Sequence, residues 1–307
     1  MEAMIEAKGL GHTYKGGHTA LDDVDLALGT GLFGLLGPNG AGKSTLMRII
    51  CTLLVPTRGT VTVGGHDVTR ERRQVREMIG YLPQEFGAWR NHRAEEVLDT
   101  LARLSGMSNR RTRRARVAET LEMVGLADVA DRKVKKLSGG MVRRLGVAQA
   151  LVHEPQVLIV DEPTVGLDPE ERMRFRQVMG RLGRDRTILL STHIVADLGG
   201  GCQDMALLDA GRVVFQGAPA QLLAQAQGKV FELTTSAERA AQVESDYEIV
   251  SRTPTADGVA LRGVTANGLP EGGVAVESPT LEEAYLTFMA ARGRSEAARQ
   301  DEDEAPS

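Results

Sequence analysis

Two short stretches carry residue types that could act on a phosphate. In GPNGAGKST, Gly37 to Thr45, the glycines Gly37, Gly40 and Gly42 let the backbone wrap tightly, with Pro38, Asn39 and Ala41 completing the turn. A loop of this kind converges several N–H groups on phosphate oxygens. A following helix aims its positive end at the same anion. Lys43 adds a point charge suited to β and γ phosphates, and the Ser44 hydroxyl suits Mg2+. In VLIVDEP an apolar run ends in Asp161 and Glu162. On a strand these neighbours point to opposite faces, so Asp161 can support a Mg2+ shell while Glu162 reaches a water beside the γ phosphate. Glu162 is therefore the expected general base.

Both stretches need an α/β frame. IEAKGLGHTY, ALDDVDLAL, LFGLLG and TRGTVTVGG read as strands, the last with apolar residues alternating beside glycine turns. Lys43 to Leu54 reads as a helix, with Leu46, Ile49, Ile50, Leu53 and Leu54 at three-and-four spacing and Pro56 as its stop. VLIVDEP and TILLSTH are continuous apolar runs, as expected of parallel strands buried on both faces. ERMRFRQVMGRL lies between them as a crossover helix. A helical, charged lobe, about 91–156, interrupts this core and contains the amphipathic stretches EEVLDTLARLSGM and RRARVAETLEMVGL.

The phosphate-binding core thus occupies 1–217. A smaller α+β unit follows over 218–292, with KVFELTT, YEIVSR, GVALRG and GVAVE as strands. SPTLEEAYLTFMAAR closes it as a helix capped by Ser278 or Thr280. The polar, acid-ended stretch 293–307 is expected to be disordered.

Composition narrows the function classes. The 307 residues are 42% hydrophobic and 25% charged, with a formal net charge of −4, so no global field favours nucleic acid. Two cysteines, Cys51 and Cys202, make no disulfide framework and suit a reducing cytosol. MEAMIEAKGL lacks an apolar h-region, which argues against a signal peptide, and the longest apolar runs are too short to cross a bilayer. The arginine run NRRTRRAR, without interleaved aromatics, reads as a solvated helix face.

A second small-residue turn, LSGG at Leu137 to Gly140, opens another helix. With it, six motifs stand in order: GPNGAGKST, YLPQ at Tyr81 to Gln84, LSGGM, VLIVDEP, GLDP at Gly166 to Pro169 and STH at Ser191 to His193. Over roughly Met4 to Gly217 the sequence resembles the nucleotide-binding subunits of ATP-binding cassette (ABC) transporters. The resemblance implies ATP and Mg2+ at the first loop, with a P-loop NTPase core, an antiparallel β subdomain and an inserted helical subdomain. It further implies a head-to-tail dimer, in which Ser138, Gly139 and Gly140 reach the γ phosphate bound by a partner subunit. Tyr14 matches the aromatic residue on which adenine stacks, and Gln84 the residue that touches Mg2+ or water and senses the membrane partner. Asp168 matches an aspartate that communicates across the dimer, and His193 the switch histidine that steadies Glu162. The sequence departs from the pattern at Met141, where the family usually carries a glutamine.

SPTLEEAYLTFM, YLPQEFG and TVGLDPEERMRFR resemble cassettes of bacterial exporters of the drug-resistance and sodium-efflux type. That resemblance implies a separate transmembrane permease, a location on the cytoplasmic side of the cell membrane and a second ABC subunit, in a homodimer. Two other readings are a soluble ABC ATPase acting on ribosomes or DNA and a nucleotide-gated regulator. The first usually has fused cassettes, a coiled-coil insert or zinc-binding cysteines, and this sequence has none of them.

Overall fold

Runs without a polar face need cover on both sides, and LFGLL, VLIVD and TILLST all become fully buried strands. The computed structural model describes residues 3–87, 89–198, 201–256, 258–266 and 268–293. The expected disordered tail, beyond Gly293, lies outside them. The chain divides into two units, Met1–Gln216 and Gly217–Ser307.

In chain order the first unit comprises β1 (Ile5–Thr13), β2 (Thr19–Leu28), β3 (Gly31–Leu36), α1 (Lys43–Ile50), β4 (Arg58–Val63), β5 (His66–Asp67), α2 (Arg72–Met78), β6 (Ile79–Leu82), α3 (Ala94–Leu104), α4 (Arg110–Met123), α5 (Gly139–Leu151), β7 (Val157–Asp161), α6 (Pro169–Leu182), β8 (Thr187–Thr192), β9 (Asp204–Asp209) and β10 (Arg212–Gly217). A four-stranded sheet has the order β2-β1-β4-β5, and a six-stranded sheet the order β10-β9-β3-β8-β7-β6. The first is antiparallel. In the second, β3 runs parallel to β8 and β9, and β7 parallel to β6 and β8. The register sets Asp161 opposite Ser191 and Leu36 opposite Thr192, so the motif-bearing ends of three strands lie side by side. Ligands of parallel α/β sheets bind at this carboxyl edge.

Helix α1 ties the sheets together. Leu46, Met47, Ile49 and Ile50 join one apolar cluster with Ile5, Leu10, Val24 and Val61 of the antiparallel sheet and Val157, Ile159 and Leu189 of the parallel one. Each such side chain contributes about 1.5–3 kcal/mol through burial. The helix is shorter than its spacing suggests. It ends at Ile50, Thr52 has a φ of 61°, and the N–H groups of Leu53 and Leu54 both donate to the Arg48 carbonyl. Leu53 is 59% exposed and takes no part in the apolar stripe.

The arginine run meets the expectation only in part, with Arg110, Arg111 and Arg114 exposed. Arg113 and Arg116 are buried within α4 rather than solvated. Arg113 bonds Asp99 at 2.6 Å and the Met107 carbonyl at 3.0 Å. Arg116 donates to the Leu151 and Val152 carbonyls at 2.7 and 3.1 Å, where α5 runs out of intrahelical donors.

The second unit contains α7 (Pro219–Ala226), β11 (Val230–Thr235), α8 (Ala237–Asp246), β12 (Glu248–Thr255), β13 (Gly258–Val264), β14 (Val274–Ala275) and α9 (Leu281–Ala290). Its sheet has the order β12-β13-β11-β14, and Phe231, Leu233, Ala240, Val243, Val259 and Leu261 form its core. The strand expected over GVAVE shrinks to two residues. Thr280, not Ser278, caps α9: its Oγ1 accepts from the Glu283 N–H, and Glu283 Oε2 accepts from the Thr280 N–H at 2.7 Å.

Glu283 is 2% exposed, and Arg262 of β13 pairs with both of its carboxylate oxygens. Burial opposes ionisation, but the hydrogen bonds from Arg262 and Thr280 outweigh it and hold the carboxyl below the ordinary glutamate range. A carboxyl depressed in the folded state stabilises above its unfolded pKa, and that stabilisation disappears as pH falls through the folded value. Thermal melts of wild type and Glu283→Gln should therefore differ most at neutral pH and converge below about pH 4.3. A gap that stays constant across that range would rule the ion pair out as its source.

Candidate nucleotide site

The first loop spans the gap between β3 and α1. Gly42 precedes the helix with a φ of 103°, and a Cβ there would lie 2.3 Å from the Ala20 carbonyl oxygen, so neither conformation nor space admits a side chain. No side chain caps the first turn of α1, which leaves its N–H groups and positive end facing the loop. Lys43 folds back into the loop. Its Nζ donates to the Gly37 and Pro38 carbonyls at 2.6 and 3.0 Å and lies 3.6 Å from Glu162 Oε1. Burial lowers the Lys43 pKa, against the opposing pull of Glu162 and Asp161. Beside the loop, Tyr14 Oη lies 3.0 Å from Thr45 Oγ1, and the tyrosine ring meets His12 edge-on at 4.6 Å.

At the end of β7 the geometry differs from the strand reading. Asp161 is the last strand residue, and Glu162 has a φ of 43°, in the left-handed region. The simple alternation of faces therefore stops one residue early. Ser191 on the neighbouring strand fixes this bend. Its Oγ donates to Asp161 Oδ1 at 2.5 Å and accepts from the Glu162 N–H at 3.0 Å, while its carbonyl accepts from the same N–H at 3.2 Å. The turn brings Glu162 Oε2 to 3.3 Å from both Gln84 Nε2 and His193 Nδ1. Lys43, Gln84, Glu162 and His193 thus meet at one carboxylate, although 150 residues separate the first from the last.

The other expected residues stand apart from this cluster. Ser138 is the N-cap of α5, and its Oγ accepts from the Met141 N–H at 3.2 Å. Gly139 has open space around its Cα, whereas a Cβ on Gly140 would sit 2.4 Å from Glu171 Oε2. Asp168 caps α6 and accepts from the Glu171 N–H at 2.9 Å. Among the described residues, no hydrogen bond or ion pair joins Ser138, Gly139, Gly140 or Asp168 to Lys43 or Glu162.

Residue spacing does not reveal three further contributors. Ser191 was visible only as the start of STH, yet it organises both acids. Arg143 donates to the Pro83, Glu162 and Pro163 carbonyls. Its signal is an arginine pair inside the otherwise apolar helix GGMVRRLGVAQAL, because guanidinium groups drawn even partly out of water require partners. A third set, Thr164 and Thr192 bonded to buried Asp197, links the loops after β7 and β8.

A glycine loop between strand and helix, a buried lysine and acids at the carboxyl edge of parallel strands define a nucleoside-triphosphatase of the P-loop class. Residues 21–165 match the ABC transporter family. The chain is 38% identical over 290 residues to the daunorubicin resistance ATP-binding protein DrrA3 of Streptomyces coeruleorubidus, covering 88% of this chain and 91% of that protein. It is 37% identical over 225 residues to the Nod factor export ATP-binding protein I of Cupriavidus metallidurans, covering 73% and 74% of the two chains. The fold matches the dimeric ATP-binding cassette MJ0796 in a post-hydrolysis state bound to ADP and Pi, with a TM-score of 0.63 and 28% identity over 70% of this chain and 98% of that one. The chain belongs to the ABC transporter family, as an ATP-binding subunit and an ATPase.

Replacing Ser191 tests the bend. Ser191→Ala leaves the buried Asp161 carboxylate without its hydroxyl donor, and urea denaturation should register a loss of about 1–3 kcal/mol. Unchanged stability would show that the bend does not rely on this hydroxyl.

Proposed function

We propose that the chain powers export through a separate membrane permease by ATP-driven closure of a cassette dimer. The observation that carries the catalytic part is the meeting of Lys43, Gln84 and His193 at Glu162. Lys43 offers its charge to the β and γ phosphates, and the backbone from Gly37 to Thr45 with the positive end of α1 cradles them. Tyr14, beside Thr45, offers its ring to the adenine. Glu162 accepts the proton of the attacking water, with His193 and Gln84 fixing its carboxylate.

The donor chemistry suits Mg2+. The Asp161 carboxylate, the Ser44 hydroxyl and the Gln84 side-chain carbonyl are hard oxygen donors around the loop, and Mg2+ completes such a set with phosphate and water oxygens. When bound, the ion neutralises phosphate charge. Asp161 is 2% exposed, and the Ser191 hydroxyl bond keeps its carboxylate oriented.

Within one chain Ser138, Gly139 and Gly140 serve no residue of the Lys43–Glu162 cluster. Open space at Gly139 and an α5 N-terminus suit a phosphate brought by a second subunit, in a homodimer. Asp168, at the head of α6, belongs to the same surface. The dimeric state of the MJ0796 cassette supports this arrangement. No helix among the described residues is long and apolar enough to cross a membrane, so the permeation path is assigned to another polypeptide. A cleft of about 810 Å3, lined by residues including Gln84, Phe86, Arg90, Leu137 and Val165, is the surface assigned to that permease. Gln84 borders both this cleft and Glu162, and so couples the two. The subunit then sits on the cytoplasmic side of the membrane, held there by the permease, with no role for nucleic acid. Export follows from the relatives' names, which include drug-resistance and Nod factor export proteins.

The deciding experiment is Glu162→Gln. Steady-state ATP turnover should fall by at least about 100-fold, the scale of a lost general base. Gel filtration with ATP should then show a stable dimer that hydrolysis no longer opens. Turnover within tenfold of wild type would remove Glu162 from the base role, and monomer alone in the presence of ATP would remove the dimer.

A further inference from the structure

One guanidinium touches the backbone of both loops that build the reacting carboxylate. Arg143 lies on the first turns of α5, five residues after Ser138. Its Nε donates to the Pro163 carbonyl at 3.0 Å, Nη2 to the Glu162 carbonyl at 3.1 Å and Nη1 to the Pro83 carbonyl at 3.3 Å. Pro83 immediately precedes Gln84, whose amide meets Glu162 Oε2. The three acceptors therefore flank the two side chains expected to hold the attacking water.

We propose that Arg143 is a positioning residue, which holds the Glu162 bend and the Gln84 loop in register for hydrolysis. The inference rests on Glu162 acting as the base. Glu162 has a side chain yet occupies the left-handed region, a conformation that persists only where surrounding contacts enforce it. Ser191 restrains its N–H from one side. Arg143 restrains its carbonyl from the other, so both polar groups of this residue are fixed. A planar guanidinium can address three divergent carbonyls at once, and a lysine ammonium on a flexible stem cannot hold the same fork.

The neighbouring arginine has a different task. Arg144 donates to the Val124 and Gly125 carbonyls, which fastens α5 to the rest of the lobe, and to Glu171 of α6. Arg143 makes no such fastening. Its bonds all end on the loops of the nucleotide site, and no carboxylate pairs with it among the described residues. It also connects that site to the helix whose first residues are assigned to the partner's nucleotide.

The test compares ATP hydrolysis and equilibrium ATP binding for wild type, Arg143→Ala, Arg143→Lys and Glu162→Gln. Misplacing a reacting group by about 1 Å can cost 100-fold, so Arg143→Ala should lower kcat by about 10- to 100-fold. Its Kd for ATP should stay within about threefold of wild type, since the phosphate loop is untouched. Arg143→Lys should recover only part of the rate. A kcat for Arg143→Ala within about threefold of wild type overturns the proposal, as does a loss that falls equally on Kd. If Arg143→Ala does not fold, Arg143→Lys decides: reduced kcat with retained Kd supports the proposal, and full activity overturns it. Inactive Glu162→Gln beside fully active Arg143→Ala sinks this inference alone, whereas active Glu162→Gln sinks the underlying base assignment as well.

Discussion

The geometry of the Lys43–Glu162 cluster depends on a single backbone bend. Glu162 follows the last residue of β7 in a left-handed conformation, which for a residue with a side chain costs about 1–3 kcal/mol. Had β7 continued straight, its acids would alternate across the sheet. The bend instead turns the Glu162 carboxylate toward Lys43, Gln84 and His193. The parallel register supplies the restraint, because pairing Asp161 with Ser191 places one hydroxyl where it serves both acids.

This arrangement gives the buried lysine a defined electrostatic setting. Lys43 loses hydration on burial and regains partners from the Gly37 and Pro38 carbonyls and, at longer range, Glu162. A phosphate entering the loop competes with two neutral carbonyls for the ammonium, and a charged acceptor makes the stronger bond. Ligand binding and release of Lys43 from its resting contacts are then one event.

Much of this was legible in the sequence, for identifiable reasons. Continuous apolar runs marked the buried parallel strands, and the glycine pattern located the loop, because both are local consequences of burial and backbone freedom. Apolar spacing runs on past Ile50, but the helix does not, because Thr52 leaves the helical region and Leu53 turns outward. Two arginines of the run, Arg113 and Arg116, leave the solvated face for a related reason. Charge alone does not distinguish a solvated face from side chains that reach back to cap a neighbouring helix, as Arg116 does at Leu151 and Val152. Arg143 carries only a weak signal: its place in an apolar helix calls for partners, but those partners are carbonyls, which every residue carries and no motif marks. The Glu162 bend was hidden, since nothing in the residue's type signals a positive φ.

Gly140 has a mechanical implication. With no side chain, it lets the Glu171 carboxylate press against the opening of α5, while Glu171 itself sits in the turn capped by Asp168 and is gripped by Arg144. The two helix openings are interlocked like adjoining teeth. Force applied to either one is transmitted to the other without passing through the sheet, so a neighbour pressing on this face would shift a rigid pair of helix heads rather than two independent loops.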